Sequence, residues 1–157
     1  MDLYDLNTPV LIKLGVKYLE AKSTLMEDMA AEKLAFEDVN SALTNHEEAY
    51  TTGFNPGAIL VAKNILDSNT KNYNRCRDVR MAAQDVEVQT YSCLLNELAF
   101  VGIQQDIDRE TYRDEELHDN YIKTGKSVIK ASRYLIEARN KYDNLVLDCA
   151  KEENSGS

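Results

Sequence analysis

Apolar side chains recur every three or four positions through three long segments of this chain, the spacing of amphipathic helices and not of strands. The first segment opens at Thr8-Pro9, an N-cap followed by proline at the first helical position, where the missing N–H costs nothing. From there to Tyr50 no further proline occurs and Gly15 is the only glycine. Two seven-residue rows run through it: Leu11, Tyr18, Leu25, Glu32, Val39 and His46, and beside them Gly15, Lys22, Met29, Phe36, Leu43 and Tyr50. Ile12, Leu19, Met26, Ala35 and Ala42 widen the stripe, as in a helix that touches two neighbours. The pattern predicts a helix over about 8–50.

The clearest turn is 51–57, where Gly53 suits the left-handed residue after a helix end and Asn55-Pro56 suits the cap and first turn of the next helix. A second helix is predicted over 56–105. Its ends are apolar, but Tyr73, Cys76 and Val79 are the only apolar points between Asp67 and Arg80, so a break near 67–80 is the competing expectation. An acid-rich stretch from Asp106 follows, with Asp108 or Thr111 as the cap of a third helix over 112–151. That helix has the cleanest repeat. Tyr121, Val128, Leu135, Tyr142 and Cys149 form one row; Leu117, Thr124, Ala131, Ala138 and Leu145 form the other, with small residues that permit close approach.

Three such helices joined by short connections predict one all-α domain over 1–152, an antiparallel up-down-up bundle or coiled coil, with 153–157 as a flexible tail. A second helix broken near 67–80 would make a four-helix bundle instead. Only six glycines and two prolines in 157 residues agree with long helices and few turns. Tryptophan is absent and tyrosine outnumbers phenylalanine nine to three, which implies a narrow core with hydroxyls at its rim.

Charge narrows the function classes. A net charge of −9 repels phosphate backbones and anionic bilayers, so direct nucleic-acid binding is disfavoured. No apolar run approaches the roughly 20 residues of a membrane span. An acidic N-terminus, Met1-Asp2-Leu3-Tyr4-Asp5, lacks the basic and apolar parts of a signal peptide, and a cytoplasmic setting, in a cell or an infected host cell, is the expectation. Cys76, Cys93 and Cys149 are odd in number and widely spaced, which favours free thiols, although Cys76 and Cys149 fall at similar heights in the expected bundle.

Candidate chemistry is thin. Glu115-Glu116-Leu117-His118 contains the Glu-x-x-His spacing of carboxylate-bridged di-iron bundles, but those need two such pairs, and Leu43 stands three residues before the only other histidine, His46. Neither a glycine-rich phosphate loop nor a paired CxxC occurs, so no catalytic residue, metal or cofactor is assigned. Lys22, Glu32 and His46 interrupt the first helix's stripe. Folding about Gly53 sets Glu32 near Arg75 and Arg77, and Lys22 near Gln84 and Asp85, a structural polar layer that fixes register. Lys123, Lys126, Lys130 and Arg133 form a basic stripe opposite the third helix's seam: an ordinary solvated face, or a docking surface for an acidic protein or phosphate-bearing ligand.

The expected function is therefore non-enzymatic: an interaction or assembly protein that presents long helix faces to a protein partner or to a second copy, a homodimer first. Leu60, Val61, Val88, Phe100 and Ile103 cannot all face one three-helix core. The alternative is a small acidic inhibitor or decoy, of the kind phages deploy, that blocks a basic nucleic-acid-binding surface. In architecture alone the expected bundle resembles spectrin-type repeats, whose core tryptophans are missing here, and architecture does not carry function.

Overall fold

Helix boundaries follow from local chemistry. The computed structural model describes residues 9–53 and 55–155, and it contains three helices: α1 (Pro9–Thr51), α2 (Pro56–Arg109) and α3 (Glu115–Ser155). No strand occurs among the described residues. The chain is an all-α, three-helix antiparallel bundle. Pro9 begins α1 as its fixed φ favours, and the Thr8 cap lies outside the described residues. At the other end Thr52 closes α1, its N–H and hydroxyl both donating to the Glu48 carbonyl at 3.0 and 2.8 Å. Gly53 then takes φ +131°, the left-handed region that glycine alone enters freely. Asn55 caps α2: its Oδ1 accepts from the N–H groups of Gly57 at 3.0 Å and Ala58 at 3.3 Å.

The α2–α3 connection differs from expectation. α2 continues to Arg109, and α3 starts at Glu115 instead of 112. The cap is neither Asp108 nor Thr111 but Asp114, whose Oδ1 accepts from Glu116 N at 3.1 Å and Leu117 N at 3.3 Å. Asp114 is followed by Glu115 and Glu116 in the first turn, where carboxylates complement the helix dipole. The α3 helix also reaches Ser155, so the expected tail is helical as far as it is described.

The competing break in the second helix does not occur: α2 is unbroken through 67–80, and the four-helix alternative falls. No glycine or proline lies between Gly57 and Gly102, so nothing removes the backbone ladder. Polar side chains in this stretch are matched from neighbouring helices, Asn69 donating to the Asp38 carbonyl at 3.4 Å and Arg80 to Glu32.

Packing divides into two compact units, one of Met1–Ser23 with Ala82–Asn144 and one of Thr24–Met81 with Leu145–Ser157. In the first, Cys93, Ala131 and Leu135 form a buried cluster flanked by Leu14 and Val86. Beside it Phe100 stacks on Tyr121 with ring centroids 4.9 Å apart, and a Cβ at Gly125 would meet the Phe100 ring at 3.3 Å, so α3 approaches α2 closely there. Tyr18 meets Tyr91 at 5.3 Å; burial and the adjacent Glu87 carboxylate push its phenol up. In the second unit Glu32 pairs with Arg80, Phe36 with Tyr73 and Asp38 with Asn69, an antiparallel order of α1 on α2.

Which rows are buried corrects the sequence expectation for α1. The Leu11, Tyr18, Leu25, Glu32, Val39, His46 row is buried or half-buried throughout. Its partner is not the row of Met29, Phe36, Leu43 and Tyr50, which are 42–54% exposed, but the row of Leu14, Ala21, Asp28, Ala35, Ala42 and Ala49 on the other side. Among the described residues seven of the eleven buried hydrophobics are alanines, so the helices meet through small side chains and leave the larger ones outside. On α3 both predicted rows are buried or half-buried along their full length.

Candidate interaction surfaces

The polar layer forms with different partners. Arg80 grips Glu32 in a two-point contact, Nε to Oε2 at 2.7 Å and Nη2 to Oε1 at 3.2 Å, and both side chains are mostly buried. Glu32 thus faces neither Arg75 nor Arg77. Arg75 reaches Glu152 on α3, and Arg77 pairs with its neighbour Asp78 at 3.6 Å. Phe36 faces Tyr73 and Asn69 reaches Asp38, so residues 75–77 lie level with Glu32; Arg75 is drawn away to Glu152, and Arg80 reaches Glu32 from about one turn further along α2. Arg80 was within reach of the pattern but one turn beyond the expected layer. Lys22 is exposed, in the uncovered row. The Glu32 hydrogen bonds push the Arg80 guanidinium further up.

The Glu-x-x-His spacing does not act as a unit. His118 Nε2 lies 2.7 Å from Glu110 Oε1, while Glu115 pairs with Arg113 at 2.9 Å. Glu110 also accepts from Asp114 N–H at 3.3 Å, so it braces the connection at both ends. The His118 hydrogen bond holds the Glu110 carboxyl below the usual carboxylate range. Among the described residues no three His, Cys, Asp or Glu side chains gather as metal ligands would. His46 stands edge-on to Tyr50, with its Nε2 buried and without a hydrogen-bond partner. All three cysteines are free thiols, and burial pushes each above the ordinary thiol value, which lowers thiolate content and reactivity.

Two exposed surfaces are candidates for recognition. On α1, within the second unit, Met26, Met29, Phe36, Leu43 and Tyr50 form an exposed apolar strip. Near the α1–α2 connection an open apolar groove of about 420 Å³ is lined by Ala42, Ala49, Ala58, Val61, Ala62 and Ile65. Leu60 and Val61 are exposed here, and Val88 is exposed in the other unit. Phe100 instead packs on Tyr121, and Ile103 is half-buried.

On α3, Lys123, Lys126, Lys130 and Arg133 are all exposed in the first unit, and Lys130 Nζ sits 5.8 Å from the Tyr134 ring centre. Running beside them is a row that the charge pattern alone passed over: Ile122, Ile129 and Ile136, exposed by 57%, 62% and 60%. Their seven-residue spacing was the available signal.

No helix of the described residues is long and apolar enough to cross a membrane. Comparison with protein-family models, curated proteins and solved structures finds no significant match.

Proposed function

We propose that this chain is a non-enzymatic helical interaction protein that presents long helix faces to a protein partner or to a second copy, with the homodimer as the first assembly to test. The exposed strip of Met26, Met29, Phe36, Leu43 and Tyr50 carries this reading. Its members recur at the spacing of one helix face, which suits a helix laid alongside, and an apolar groove lies on the same hairpin. Light scattering with small-angle X-ray scattering on the whole chain tests it. A mass above the monomer that falls when Phe36 and Leu43 become Glu supports self-assembly through this face. A strict monomer that captures no helical partner counts against the reading.

An acidic decoy for a basic nucleic-acid-binding surface is the second reading, motivated by the net charge of −9. It requires salt-sensitive binding to a basic nuclease or polymerase that survives the Phe36 and Leu43 substitutions, which separates the two.

A further inference from the structure

We infer that the α3 face of Ile122, Ile129 and Ile136 docks an acidic amphipathic helix of a protein partner, its apolar row seated on the isoleucines and its carboxylates on Lys126, Arg133, Lys123 and Lys130. The inference rests on the reading of the chain as a helix-presenting interaction protein and names the chemistry of one partner.

Three observations combine. The isoleucines recur at seven-residue spacing and are each more than half exposed, so the face has the period of a helix partner and nothing of this unit covers it. Residues 120–136 hold four bases and no acid, a local +4 in a chain of −9, so the remainder carries −13. Carboxylates are what this patch attracts and what the rest of the surface repels. Finally, the face is narrow. Lys126 and Arg133 project next to the isoleucines on one side and Gly125 and Ser132 lie on the other, so one apolar row is available, enough for the seam of a helix pair. An anionic bilayer calls for a broader apolar face and would meet the −13 of the surrounding surface. From Ile122 to Ile136 the contact spans two heptads, about 21 Å at 1.5 Å per residue.

The test is fluorescence anisotropy of the full chain with synthetic helical peptides of about three heptads, identical in their leucine row and flanked by Glu in one and Lys in the other. The Glu peptide is expected to bind and to weaken as salt rises; the Lys peptide is expected not to bind. Lys126→Glu with Arg133→Glu, and separately Ile129→Gln, should each weaken the Glu peptide about tenfold or more, one factor of ten being about 1.4 kcal/mol. Circular dichroism checks that these variants stay helical, and the two peptides on the unaltered chain decide the matter even where a variant unfolds. Equal binding of both peptides, no binding of the Glu peptide, or binding indifferent to all three substitutions overturns the proposal. So does tight binding to phosphatidylserine vesicles or duplex DNA that these substitutions abolish, or self-association lost through them, since each assigns the face to another occupant. Failure of the Glu peptide while the chain still dimerises through Phe36 and Leu43 sinks this inference and leaves the broader reading standing.

Discussion

Helices α1 and α3 differ in which of their apolar rows turn inward. On α3 both predicted rows pack inward, and the faces beside them hold Lys, Arg, Asn and Asp together with the exposed row of Ile122, Ile129 and Ile136. On α1 three rows compete: one of Leu, Tyr and Val, one of Ala, and one of Met, Phe, Leu and Tyr. Hydrophobicity favours the row of large residues, yet the alanine row is buried. Area removed from water is only one contribution; close approach of the backbones, which Ala35, Ala42, Ala83 and Ala131 allow, adds dispersion contacts along the interface. A helix with more apolar rows than neighbours must leave one outside, as α1 leaves the row of Met29, Phe36, Leu43 and Tyr50 and α3 the row of Ile122, Ile129 and Ile136.

Substitutions can break this contrast. Leu135→Ala, in the buried α3 row, should cost about 2–5 kcal/mol in urea unfolding, whereas Phe36→Ala should cost only about 1 kcal/mol, chiefly its ring contact with Tyr73. Equal losses would mean that the Phe36 row is covered after all. Ala35→Leu should overpack the seam by about 1–3 kcal/mol, whereas Leu34→Ala, on an exposed row, should stay within about 0.5 kcal/mol. A neutral Ala35→Leu would return the seam to the larger side chains.

Smaller effects sharpen the start of α3. Asp114→Ala should cost about 0.5–2 kcal/mol as a lost cap, and Thr111→Ala next to nothing, read by thermal unfolding. Smallest is a pH effect. The Glu110 carboxyl titrates lower in the folded chain than in the unfolded one, so the unfolded state binds the proton more readily. Its stabilisation is present above the ordinary carboxylate value of 4.5 and fades as pH falls through that value and below. Melting temperature should therefore drop more steeply on acidification in the parent chain than in Glu110→Gln; parallel slopes would remove this brace.

Much of the architecture was legible because it is local. Proline at a helix start, glycine at φ +131°, Asn55 as a cap and a period near 3.5 all act within a few residues. The polar layer was legible as a need for partners, but not in its pairing, since Arg75, Arg77 and Arg80 all lie within about one turn of Glu32's level and only packing decides that Arg75 turns to Glu152 and Arg80 to Glu32. The cap at Asp114 was missed among several acids, any of which can cap in isolation.

The residues themselves determined three helices, their approximate ends, both rows of α3 and a basic stripe within an acidic chain. Only the packed structure decided which α1 row turns inward, which arginine meets Glu32, and that three isoleucines stand exposed among the lysines of α3. Periodicity and capping are properties of single segments, whereas row choice and pairing depend on how closely neighbouring helices approach, a quantity no segment carries alone.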